Sequence, residues 1–203
     1  MAKPTVIVAY YSVYGHVRKL ADKIVEGLNS AGNVDVKLYQ FKENLPEDVL
    51  AMFKAPPQDP EVPFLTPEIL GEADAFLMGI PTRYGSMPAQ VKAFWDSTGP
   101  LWSTGKLVGK MGGFFFSTAS QGGGQETTAL VSLTNLIHHG IIYVPLGYTH
   151  NNLFDLSEVV GGSAYGAGTV AAGDGSRQPS VKELEVAEHQ GKSFAAIVAK
   201  YHS

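Results

Sequence analysis

The stretch Val6-Ile7-Val8-Ala9-Tyr10-Tyr11-Ser12-Val13-Tyr14-Gly15-His16-Val17 decides the fold. Its first part, Val6–Tyr10, is apolar without alternation, as suits a strand covered on both faces in a parallel α/β sheet. From Val17 onward the period changes. Val17, Leu20, Ala21, Ile24, Val25 and Leu28 share one helical face, with Arg18, Lys19, Asp22, Lys23 and Glu26 opposite. Ala31-Gly32 closes that helix. Ser12–Val17 therefore runs from a buried strand straight into a helix N-terminus, where free amides and the helix dipole favour a phosphate. Ser12 can add a hydroxyl donor, and Gly15 lets the backbone approach a ligand closely. A plain strand-to-helix turn capped by Ser12 is the bland reading of the same residues. Its position at the end of a sheet strand is what favours the phosphate.

Working outward, Ala75–Ile80, Phe114–Phe116 with its flanks, and Ile141–Leu146 are further continuous apolar runs bounded by Gly, Pro, Ser or Thr. Val34–Phe41 alternates less cleanly and reads as a strand nearer an edge. Helical patterns fall between them, over Pro88–Asp96 and over Gln125–His139, which stops at Gly140. Ser180 and Glu183 form a capping-box pattern ahead of Leu184, Ala187, Gly191, Phe194, Ala195 and Val198 on one face. Such alternation builds a doubly wound parallel sheet with helices on both faces. The proline-rich Ala55–Pro67 reads as a wrapped loop. Gly147–Pro179, rich in Gly, Ser, Ala and Asn, reads as an extended loop, functional or at an interface. One domain covering residues 1–203 is expected.

Composition narrows the function. A net charge of -4 and a pI near 5.8 argue against nucleic acid or an anionic membrane surface as partner. The absence of cysteine excludes disulfides, thiolate metal sites and thiol nucleophiles, and fits a reducing compartment. The apolar run Val6–Tyr10 is too short for a signal-peptide core or a membrane span, so a cytoplasmic protein is expected.

In an open parallel sheet, ligands bind beyond the carboxyl ends of the strands. Three polar, glycine-bearing segments should converge there. They are Ser12-Val13-Tyr14-Gly15-His16-Val17, Pro81-Thr82-Arg83-Tyr84-Gly85, and Ser117-Thr118-Ala119-Ser120-Gln121-Gly122-Gly123-Gly124. Other phosphate signatures fail. No Gly-x-Gly-x-x-Gly follows the first strand, and Gly191-Lys192-Ser193 lies inside the last helix without the earlier glycine of a P-loop. Acidic residues do not follow the first strand as a phosphoacceptor site needs. No Gly-x-Ser-x-Gly elbow and no cluster with metal-ligand spacing occurs, so neither a serine hydrolase nor a metal site is expected. Arg83 can hold a phosphate or the carbonyl edge of a flavin ring, or form an ordinary surface ion pair. Tyr84 and Trp102 can flank a planar ring, or fill core or an interface. His138 and His139 at a helix end compensate its dipole unless that end faces the site.

These residues together resemble the WrbA family of NAD(P)H:quinone oxidoreductases. The matching stretches are Tyr-Tyr-Ser-Val-Tyr-Gly-His-Val at 10–17, Gly-Ile-Pro-Thr-Arg-Tyr-Gly at 79–85, Gly-Pro-Leu-Trp at 99–102 and Gly-Gly-Gly-Gln-Glu at 122–126. His-His-Gly at 138–140 and Ala-Gly-Asp-Gly-Ser-Arg-Gln-Pro-Ser from Ala172 complete the match. The resemblance implies a flavodoxin-like five-stranded sheet in the order 2-1-3-4-5 and one FMN per subunit. It implies that Ser12, Val13, Tyr14, Gly15, His16 and Val17 cradle the FMN phosphate, with Tyr14 also near the nicotinamide donor. Pro81, Thr82, Arg83 and Tyr84 would hold the flavin, as would Ser117, Thr118, Ala119, Ser120, Gln121 and Gly122. His138 would lie beside the flavin as the catalytic group, and Trp102 would line the quinone pocket. The implied protein is a homotetramer with active sites near subunit junctions, to which Gly147–Pro179 would contribute. The implied reaction takes NADH or NADPH as donor and reduces a quinone by two electrons in a ping-pong mechanism. A flavodoxin-like electron carrier and a non-catalytic FMN-binding scaffold are the alternatives. One position departs from the family pattern: Ala119 stands where a glycine is usual, and a positive φ there would strain it.

Overall fold

The structure is a computed structural model describing residues 2–203. A parallel sheet carries the fold. β1 (Thr5–Tyr10) lies between β2 (Asp35–Gln40) and β3 (Ala75–Pro81), and β3 pairs in turn with β4 (Met111–Thr118). Each of these strands is joined to the next through helices, as parallel pairing requires. α1 (His16–Ala31) follows β1, and α6 (Gln125–His138) follows β4. α2 (Glu47–Met52) and α3 (Pro67–Glu72) lie between β2 and β3, while α4 (Ala89–Asp96) and α5 (Gly99–Ser103) lie between β3 and β4. α7 (Val181–Tyr201) closes the described chain.

The apolar runs are continuous because both sheet faces are covered. Val6, Val8 and Tyr10 meet Leu20, Ile24 and Leu28 of α1 and Val186, Phe194 and Val198 of α7. Ile7 and Ala9, pointing the other way, meet Phe94 and Trp95 of α4 and Ala129 and Leu136 of α6. α1 and α7 cross backbone to backbone. A Cβ on Gly27 would stand 1.9 Å from the Glu188 carbonyl oxygen, and one on Gly191 would stand 2.2 Å from that of Ile24. That contact accounts for the glycine of Gly191-Lys192-Ser193 in packing terms. Beyond β2, the proline-rich loop wraps as expected: Gln40 donates to the Pro63 carbonyl at 3.0 Å and accepts from the Leu65 N–H at 2.9 Å, covering the sheet edge.

Two expectations need correction at the opposite edge. The strand expected at Ile141–Leu146 shrinks to β5 (Ile142–Tyr143), which pairs only with the first residues of β4. The rest of that sheet position belongs to β7 (Gly166–Val170), which pairs with Phe116–Thr118 and carries the short antiparallel β6 (Gly162–Ser163). The sheet thus has seven strands, in the order β2-β1-β3-β4-β7-β6 with β5 beside β4. Residues 147–179 are therefore no plain loop. β7 escapes a hydropathy pattern because it must be thin: a Cβ on Gly166 would lie 2.0 Å from the Phe114 carbonyl oxygen, and one on Gly168 2.2 Å from Gln125 Oε1. Among the described residues, no helix is long and apolar enough to cross a membrane.

Candidate functional site

β1, β3 and β4 run level, with Tyr10 beside Gly79 and Gly79 beside Phe115. The segments leaving them enclose a cavity of about 300 Å³. Ser12, Val13, Tyr14, His16 and Val17 line it from the first, Pro81, Thr82 and Arg83 from the second, and Ser117, Thr118 and Ala119 from the third. The expected convergence is present. Ala171–Gly175 adds a fourth wall that the strand ends alone do not announce.

At the first wall Gly15 takes the left-handed conformation with φ 87°, and a Cβ there would meet nothing within 4 Å. The Ser12 hydroxyl accepts the Gly15 N–H at 3.0 Å. The first amide of α1 to bond back is that of Lys19, to the Gly15 carbonyl at 3.0 Å. Among the described residues the N–H groups of Tyr14, His16, Val17 and Arg18 meet no protein acceptor, as helix starts dictate. Those amides and the positive end of the α1 dipole suit an anion.

The second wall is braced from α6. Thr128 gives its hydroxyl proton to the Gly124 carbonyl at 2.7 Å, so Thr82 is the donor in their 2.8 Å contact. Thr82 in turn accepts the Gly85 N–H at 3.1 Å. Tyr84 is left-handed, φ 55°, a conformation costing a non-glycine residue about 1 kcal/mol. It turns its ring fully outward, where it lines an adjoining apolar pocket with Val13, Tyr14, Phe53 and Arg83. Tyr14 donates to the Phe53 carbonyl at 3.0 Å. Below this rim the buried Tyr11 hydroxyl donates to Glu43 at 2.7 Å, and Gln90 donates to the other Glu43 oxygen at 2.5 Å. Burial and the Glu43 charge push the Tyr11 pKa up. Burial works against the Glu43 charge, but donors from Gln90, Leu45, Tyr11 and Asn44 hold its carboxyl below the usual range.

On the third wall Thr118 donates to the Ser120 carbonyl at 2.8 Å, and the buried Gln125 donates to Thr118 Oγ1 at 3.1 Å and to the Thr169 carbonyl at 3.0 Å. Ala119 is not among the residues of positive φ, so the strain considered for it does not arise. The non-glycine residue that is left-handed here is Ala172, φ 64°, on the fourth wall. That wall is anchored by Arg177 and Glu183. Its signal in the sequence is Ala-Gly-Asp-Gly-Ser-Arg-Gln-Pro-Ser from Ala172, but no chemistry of its own marks those residues as cavity lining.

Several expected residues stand apart. Ser120 lies outside the cavity wall, and Gln121 and Gly122 border a neighbouring groove with Val160–Gly162. His138 ends α6, whose first residue stands at the cavity end of the sheet. Fourteen helical residues put roughly 21 Å between the two ends. Trp102, 60% exposed, lies on α5, ahead of the amino end of β4. Neither side chain reaches the cavity of its own chain.

Hydroxyls and free amides at one end, apolar walls from Val13, Val17 and Pro81, and the Arg83 guanidinium suit a phosphate-bearing planar ring system such as FMN. The open space above Gly15 leaves room for the phosphate. The comparisons agree. The flavodoxin family model matches residues 8–140. The chain is 56% identical over 196 residues to the quinone-oxidoreductase QR2 of Triphysaria versicolor, covering 96% of this chain and 95% of that one. It is 49% identical over 201 residues to the NAD(P)H quinone oxidoreductase PST2 of Candida albicans, covering 99% of each. The solved WrbA-like flavodoxin from Agrobacterium tumefaciens superposes with a TM-score of 0.67 at 25% identity over the whole of both chains.

Proposed function

The chain belongs to the flavodoxin family, and we propose that it is an FMN-dependent NAD(P)H:quinone oxidoreductase. The observation that carries this reading is the cavity built by the ends of β1, β3 and β4, with the unbonded amides of α1 at one end and Arg83 at its rim. FMN held there would supply the redox chemistry that links NADH or NADPH oxidation to two-electron quinone reduction. The protein's part is placement. The amides of Tyr14, His16 and Val17 with the Ser12 hydroxyl bind the phosphate. Arg83 donates to the polar edge of the ring, and Ser117–Ala119 and Pro81 close its other side. Thr82 holds the loop that carries Arg83, by accepting the Gly85 N–H and donating to Thr128. Tyr14, half exposed at the rim, is positioned to meet the nicotinamide. The purified protein is expected to be yellow and to bleach with NADH, and to recover its colour with benzoquinone. Absence of flavin absorption after incubation with FMN would sink the reading.

One rim serving both substrates makes the kinetics ping-pong, with parallel double-reciprocal lines when NADH and benzoquinone are varied; intersecting lines would refute that scheme. His138 and Trp102 enter through quaternary structure. We propose a homotetramer in which these residues, remote from their own cavity, face that of another subunit. There Trp102 stacks on the quinone and His138 stabilises charge on its oxygen. Their exposure supports this, as does that of the neighbouring Ile137 and Val108, 68% and 67% exposed. A cytoplasmic location belongs to the same proposal and is supported by the cysteine-free composition.

A further inference from the structure

Glu183 reads as a capping-box residue, and it does accept the Ser180 N–H at 2.8 Å. A cap needs no more than that, yet Glu183 is wholly buried and both its oxygens are crowded with donors. They accept from the Gly161 N–H at 2.9 Å, the Val170 N–H at 3.2 Å, the Thr169 hydroxyl at 2.8 Å and the Arg177 guanidinium at 2.9 and 3.0 Å. Arg177 also donates to the carbonyls of Val170, at 2.6 Å, and Val159, at 2.7 Å. With Glu183 wholly buried and Arg177 half-buried, the desolvation of the carboxylate offsets much of the pair's attraction; what the pair does well is fix a geometry.

The geometry fixed here is the fourth wall of the cavity. Arg177 follows the Ala171–Gly175 turn closely, and its N–H bonds back to the Ala171 carbonyl at 3.1 Å. Its own carbonyl accepts from His16 Nε2, on the first residue of α1, at 2.9 Å. Beside it Lys19 donates to Gln178 at 2.6 Å, and a Cβ on Gly175 would lie 4.0 Å from the His16 ring. The turn is thus seated against the end of α1 that offers its free amides. Ala172 holds a left-handed conformation there that persists only where the surroundings impose it. The N–H groups of Ala172, Gly173 and Asp174 meet no acceptor among the described residues. The Asp174 carboxylate is turned back onto the Ser176 N–H and hydroxyl, at 3.0 and 2.7 Å.

We infer that the Arg177–Glu183 pair is a positioning device that presents the Ala171–Gly175 turn to the phosphate of FMN, and so sets affinity for that end of the cofactor alone. This rests on the FMN reading above. The test titrates the full-length apoprotein with FMN and with riboflavin, which lacks the phosphate, following flavin fluorescence. The wild type is expected to bind FMN more tightly than riboflavin. Glu183→Gln is expected to raise the Kd for FMN roughly tenfold, the scale of one hydrogen bond to a charged group, and to leave riboflavin within about twofold. If Glu183→Gln fails to fold, Arg177→Lys carries the same test, since it keeps the charge but loses the simultaneous grip on Val170 and Val159. An equal shift for both flavins, or none for FMN, would overturn the inference and leave the FMN reading intact. A wild type with no preference for FMN over riboflavin would instead strike the phosphate site itself.

Discussion

Thr98 gives its hydroxyl proton to the Trp95 carbonyl at 2.7 Å, so in its 2.8 Å contact with His139 the imidazole Nε2 must be the donor. The other ring nitrogen, Nδ1, is buried without a partner, as is the indole nitrogen of Trp95, whose ring centroid lies 5.6 Å from that of His139. Burial, reinforced by neighbouring His138, lowers the His139 pKa from its ordinary 6.5. Below 6.5 the unfolded chain therefore binds a proton that the folded chain refuses. The stability this neutral imidazole contributes is full above 6.5 and is lost as pH falls towards its lowered pKa. His189, also lowered by burial, acts in the same direction. His139→Gln, which retains a donor for Thr98, is expected to flatten part of the decline in melting temperature below pH 6.5; an unchanged slope would contradict the assignment. At this scale the sequence is legible where chemistry is local. Ser12, Thr82 and Arg83 can be expected at the cavity they line because ligands of an open parallel sheet bind beyond the carboxyl ends of its strands. Glu183 can be read only as a cap, since its burial depends on Gly161 and Thr169, distant in sequence.

β7 shows the same limit for whole elements. β1, β3 and β4 announce themselves because their side chains fill both faces of the sheet. Gly166-Ala167-Gly168 is silent because the neighbouring Phe114 backbone and the Gln125 side chain occupy the space a side chain would need. Gly166→Ala is expected to destabilise the fold by about 3 kcal/mol, the upper range for overpacking, in a chemical denaturation series. Gly99→Ala, where a Cβ would meet nothing within 4 Å, serves as the neutral control. Equal stability of the two variants would mean that β7 is not seated on β4 as described. At the start of α7, Ser180→Ala is expected to cost about 1 kcal/mol through loss of its bond to the Glu183 N–H, measured the same way. The longer helices α1, α4, α6 and α7 are legible in the sequence, α1 and α6 nearly to the residue because their glycine stops Gly32 and Gly140 are left-handed positions that few other residues accept. α2, α3 and α5, of five or six residues each, are too short to show a helical period.

At the scale of the molecule, nothing in one chain's sequence says which surface meets a second copy, so His138 and Trp102 can be named from it but not placed. Trp102→Asp is expected to lower the assembled mass in light scattering and to reduce quinone turnover, while FMN stays bound. Loss of FMN together with assembly would argue that the residue acts on its own cavity. The described strands share one sheet, and unfolding of the apoprotein is expected to lose helix signal in far-UV circular dichroism and tryptophan fluorescence together, with no separate transition for either. The crossing of α1 and α7 at Gly27 and Gly191 also bears on biosynthesis. One face of the sheet, with Val6, Val8, Leu77 and Phe115, is covered jointly by an early helix and by a helix made some 150 residues later. The four strands of that face are complete only at Thr118, so at ordinary elongation rates the face waits roughly 3 to 13 s for α7 to begin, with that part of its cover missing. The nascent chain is therefore a natural client for chaperones until its last helix emerges, and a close glycine-to-glycine fit is what lets that late arrival seal the face at once.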